Sequence, residues 1–206
     1  MTEDTNKHLA KIEGVIGKAK EILGRHGYPD NLRTVIVAGT IDQMAEHHEA
    51  MLLLIRSGKI GSAFALARDI FESMYRGLWI NFCASTAQIQ KFEVDDQLPR
   101  NMTEMAQDID QQYHAHGFFE DLKNRGWKAL CSYTHTGMLQ LGRRFTGHDV
   151  KPSYSDGEIV EVTTAVTTCF LLLAGKFLAV EKYDQECKEV EALIGTYGPA
   201  VAAATK

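Results

Sequence analysis

The sequence predicts an all-α protein: an antiparallel helical bundle of about five to seven helices. Three observations lead there. Apolar residues recur three and four apart over most of the 206 residues, only four prolines interrupt them, and no segment alternates apolar and polar residues long enough to build a sheet. With 45% apolar and 24% charged residues, the chain can bury a core and does not have the composition of a disordered one. We expect a single bundle domain over residues 1–195 and a frayed tail over 196–206.

The first helix carries Leu9, Ile12, Ile16, Ala19 and Leu23 on one stripe and ends before Gly24, Gly27 and Pro29. A second spans about 31–57, with Ile41, Ala45, His48, Leu52 and Ile55 in line. The turn Gly58-Lys59-Ile60-Gly61 is so short that the third helix, about 62–84, must run back beside it. That third helix is apolar nearly all round (Phe64, Leu66, Ile70, Phe71, Met74, Leu78), which places it in the middle of the bundle. Ser85 with Gln88 and Asn101 with Glu104 have capping-box spacing and predict two short helices flanking Pro99. Residues 93–121 hold eight acids and one arginine, and read as a solvated face or a mobile excursion. Helical spacing resumes from Phe118 to about Phe145 (Trp127, Cys131, Thr134, Met138, Leu141, Phe145), with a break expected near Gly126. Ser155 with Glu158 then opens the last long helix, expected to run to about Leu193.

Several function classes drop out. The four cysteines show no CxxC or ligand spacing, so neither zinc nor disulfides are expected. Glu46, His47, His48 and Glu49 bunch together, yet no Glu-x-x-His occurs, which argues against a di-metal carboxylate site. Phosphate-binding glycine loops and a nucleophile elbow are missing, and no cofactor is expected. The amino terminus is polar and acidic. The most apolar stretch, Val162–Gly175, is 14 residues long, short of the ~20 that span a bilayer. We therefore expect a cytoplasmic protein with no membrane association. A net charge of −5 speaks against a surface coated for nucleic acid. Residues 122–152 nonetheless carry six cations against Asp149 alone. Such a patch either holds an acidic ligand or neutralises the acidic stretch before it, within one copy or across a dimer.

The chemistry-bearing candidates lie on three segments. Arg68, Glu72 and Arg76, spaced i, i+4, i+8, stack on one face of the apolar third helix, so we expect them to point inward and be partly buried. Ionic burial is costly, and stability alone is a poor reason for it. His48 should lie at a similar height on the second helix, within reach of Glu72, unless it is merely a hydrogen-bonded core histidine. Ser132-Tyr133-Thr134-His135-Thr136-Gly137 should bend its helix, aim His135 at the centre and let something approach Gly137 closely; a polar kink is the other reading. Arg143 and Arg144 follow. His135 is thus the acid–base candidate, and Arg68, Glu72, Arg76, His48, Arg143 and Arg144 are candidates for holding an anionic group.

The segments Ala67–Trp79 (ARDIFESMYRGLW) and Ser132–Gly137 (SYTHTG), the latter continuing to Arg143-Arg144, resemble a family of small bacterial all-helical proteins of unassigned function. The likeness covers about residues 35–180. It extends distantly to the HEPN superfamily, helical bundles that are often dimeric and include metal-independent ribonucleases. That resemblance implies a homo-oligomer and, if RNA is the substrate, a histidine that deprotonates the 2′-hydroxyl while arginines stabilise phosphorane charge. The Arg-x4–6-His spacing of HEPN nucleases is met by Arg143 and His148, although about one such match is expected by chance. The rival expectation is a non-catalytic homodimer in which the polar cluster fixes helix register.

Overall fold

The computed structural model describes residues 1–196. Five helices of 17 or more residues make the bundle: α1 (Glu3–Leu23), α2 (Leu32–Arg56), α3 (Ile60–Phe82), α6 (Phe118–Thr134) and α8 (Asp156–Val180). Four shorter ones fill in: α4 (Thr86–Asp95), α5 (Met102–Tyr113), α7 (Met138–Gly142) and α9 (Asp184–Gly195). A two-stranded hairpin, β1 (Phe145–Thr146) with β2 (Asp149–Val150), is too short for any sequence pattern to announce. The tail expected to fray lies outside the described residues, except for Thr196.

Local chemistry sets most boundaries. Ser85, Asn101 and Ser155 each accept from the backbone N–H three residues on while Gln88, Glu104 and Glu158 reach back, completing all three capping boxes. α6 runs unbroken through Gly126 and stops at Thr134 instead. Its own N-cap, Gly117, has no side chain, so Asp110 of α5 takes over and accepts from Phe119 N and Glu120 N, both at 2.9 Å. The expected single C-terminal helix is two. Lys182 turns left-handed (φ 63°), and Tyr183 folds back to stack on His26 at 4.3 Å.

α3 is the central element, as its all-round apolar surface requires, and packs against α2, α5, α6 and α8. Gly77 permits the closest of these approaches: a Cβ there would lie 2.5 Å from Leu173 Cδ2 of α8. By length and composition α8 could cross a membrane, but 67% of its most apolar window is buried within the bundle. The acidic stretch is no excursion. Met105, Ala106 and Ile109 of α5 are buried, and Asp108 accepts from Trp79 Nε1 at 2.8 Å.

Candidate functional site

The polar column of α3 faces α6. Arg68 and Glu72 are tucked against that helix, their side chains 19% and 23% exposed, whereas Arg76 sits at the rim at 46%. The inward orientation expected of all three therefore applies to two. Glu72 Oε1 accepts from Arg76 Nε at 3.0 Å and Nη2 at 2.6 Å, and Glu72 Oε2 lies 3.6 Å from Arg68 Nη2. Glu72 thus satisfies Arg76 closely and Arg68 only loosely.

Trp127 of α6 and His135, which caps that helix, complete the surroundings of Arg68. Its guanidinium carbon lies 5.0 Å from the centroid of Trp127, a cation–π contact, and its Nη1 donates to His135 Nε2. Arg68 Nε is buried and finds no partner among the described residues. Trp127 reaches the guanidinium from α6 itself, and His135, eight residues on, reaches it from the bend that caps the helix. That spacing was visible in the sequence, but it reads equally well as an ordinary core stripe.

His135 owes its position to the bend after Thr134. Its N–H still bonds to Cys131 O, Thr136 turns left-handed (φ 55°), and Gly137 N donates to Ser132 O at 2.8 Å. Ser132 Oγ then accepts from Leu139 N at 3.1 Å, anchoring α7. Gly137 is approached closely, as expected, by Ser132 itself: a Cβ at 137 would lie 2.2 Å from Ser132 Oγ and 2.8 Å from its Cα. His135 ends up exposed at the edge of the bundle instead of at its centre.

The other candidates lie elsewhere. His48 is only 2% exposed; its Nδ1 donates to Met44 O at 2.8 Å and its ring faces Phe170 of α8, not Glu72. Burial pushes its pKa from 6.5 down to about 4. It is a core histidine. Arg143 pairs with Glu158 at the start of α8, with Nε at 2.6 Å. Arg144 lies by Gly61 with Tyr154; a Cβ on Gly61 would be 2.9 Å from Arg144 Nη2 and 2.7 Å from the tyrosine oxygen. Among the described residues no close ion pair joins the basic stretch to the acidic one before it, although α5 and α6 pack against each other. No group of three or more His, Cys, Asp or Glu residues is placed to hold a metal ion among the described residues, and the four cysteines are free.

The model of a family of unknown function (DUF6988) matches residues 41–201. The chain belongs to this family. The match includes the whole of α3, α6 and the bend, so the Arg68–Glu72–His135 arrangement falls within it. No curated protein and no solved structure matches the chain.

Proposed function

We propose that the protein binds a small anionic ligand, phosphate-bearing or nucleotide-like, where α3 meets α6. Arg68 is the anchor, Arg76 a second cation at the rim, and Trp127 a flat apolar wall. The observation that carries this reading is the incomplete satisfaction of Arg68: half-buried, its Nε unpartnered and its nearest carboxylate oxygen at 3.6 Å. An oxyanion offers the fork of short, charge-assisted bonds that Glu72 does not. His135 is coupled to that event. A ligand that takes the Arg68 N–H frees Nε2 as a basic nitrogen beside the bound group, which is the geometry an acid–base role needs, RNA cleavage of the HEPN kind included.

Titration with inorganic phosphate and with a nucleoside monophosphate, followed by calorimetry, tests the proposal. Wild-type protein should bind, Arg68→Ala should lose about tenfold or more, and Glu72→Gln, which removes a competing anion, should hold or gain affinity. No binding by folded wild-type protein at millimolar ligand would refute it. Incubation with single-stranded RNA tests the finer reading: cleavage should disappear in His135→Ala.

A second reading, a non-catalytic scaffold in which the column is structural, draws on the fact that Glu72 already contacts both arginines. The two readings differ on Arg68→Leu. If the column only fixes helix register, this variant loses about 2 kcal/mol or more of stability by leaving Glu72 half paired; if the arginine is kept for a ligand, an apolar side chain beside Trp127 costs little or stabilises.

A further inference from the structure

α6 has a second face, turned away from the arginine column. There α6 and α8 diverge to leave a groove of ≈680 Å³, floored by Phe71 of α3 and walled by Leu122, Ala129 and Leu130 of α6 and by Val160 and Ala165 of α8. The walls differ in charge. Arg125 lines the α6 side and Glu161 the α8 side, and among the described residues neither forms a salt bridge. Glu158, also on the α8 wall, is already held by Arg143 at the end of α7. From that end, α7 and the hairpin expose Met138, Leu139, Leu141, Phe145 and Val150, with Met138 77% and Val150 76% exposed.

We propose that this groove and the adjoining α7–hairpin surface form the interface of a twofold-symmetric homodimer. In an isologous contact the same patch meets itself, so residue i of one copy faces residue j of the other and the reverse. A patch that is positive on one wall and negative on the other is complementary to its own copy: Arg125 of each protomer meets Glu161 of the second, twice per dimer. A single-sign lipid or nucleic-acid surface would satisfy only one wall. A small molecule of a size to fill the groove would still leave the five apolar side chains of α7 and the hairpin in water. Gly126, Ala129, Gly157 and Ala165 keep the walls low enough for helices of a second copy to approach closely. This proposal gives the homo-oligomer expected from the sequence a surface. It stands independently of the anion site, which uses the other face of α6.

Sedimentation velocity and light scattering on the full chain at micromolar concentration test it. Wild-type protein should run at twice the chain mass. Arg125→Glu and Glu161→Arg should each weaken the dimer by about tenfold or more by setting like charges opposite one another. Circular dichroism on each variant checks that it is folded. Because the two single variants are complementary, mixing them should re-form a dimer of one copy of each, a result that charge repair within one groove does not produce. Ala165→Arg, on the exposed α8 wall, should block association by bulk where a charge variant does not fold. A monomeric wild type, single variants that stay fully dimeric, or a mixture that remains monomeric would each overturn the proposal. Phosphate titration is the separate readout for the anion site, and neither result decides the other.

Discussion

The buried imidazole of His48 makes the stability of this bundle sensitive to mild acid. The ring donates from Nδ1 to Met44 O, packs on Phe170, and has no partner for Nε2 among the described residues. Protonation would place a cationic ring in the bundle interior, and the cost of burying that charge outweighs the help of the Met44 and Val166 carbonyls, so the folded-state pKa falls from 6.5 to about 4. The depressed value fixes the sign. The unfolded chain binds this proton more readily, so stability is fully present above about pH 6.5 and is lost as pH falls toward 4. Linkage over that interval gives a loss of about 2 kcal/mol between about pH 7.5 and pH 5, or roughly 4–8 °C in melting temperature for a chain of this size. The assay is thermal and urea unfolding at both pH values for wild type and His48→Met. The variant removes the titrating group and fills similar volume, so its stability should change less with pH by about that amount. Most carboxylates titrate below this window and cancel in the comparison, as does His8, whose pKa burial also lowers. Identical pH dependence in the two proteins would refute the reasoning.

Other consequences follow from particular contacts. Gly77→Ala would drive a Cβ to 2.5 Å from the fully buried Leu173; overpacking of about 1–3 kcal/mol outweighs the ~1 kcal/mol that alanine contributes to helix propensity, so the melting temperature should fall. Gly137→Ala meets the Ser132 backbone at 2.8 Å, must open the bend, and should weaken phosphate binding together with stability if His135 is what positions Arg68. Cys169 is buried, and burial pushes its thiol up to about 12. It should resist alkylation at neutral pH in native protein and react on unfolding, as judged by mass spectrometry of quenched samples.

What the sequence made legible was local. The arginine–glutamate column is a matter of i, i+4 spacing, and the three capping boxes of i, i+3 spacing; both are fixed by helix geometry before any tertiary contact forms. What failed depended on rotation about a helix axis. His48 and Glu72 do stand on neighbouring antiparallel helices, but counting residues from a turn gives height and says nothing about which way a side chain faces. His48 turned toward α8 instead. The break at Lys182 is silent in the sequence for a different reason: no glycine or proline marks it, and helical spacing simply resumes at Asp184.

The role of α6 lay furthest from view, because it depends on two faces of one helix meeting different neighbours. Trp127 and Cys131 on one side and Gly126, Ala129, Leu130 and Tyr133 on the other each read as one ordinary stripe of an amphipathic helix. Only the divergence of α6 from α8 turns the second stripe into a groove wall, and only the bend at Ser132–Gly137 carries His135 onto Arg68. Both features hinge on the same residues. The bend that sets His135 against the anion anchor also starts α7, whose end supplies Arg143 to Glu158 across the mouth of the groove. Association of two copies at the groove would therefore restrain the segment that positions the histidine, linking assembly and binding through one turn of chain.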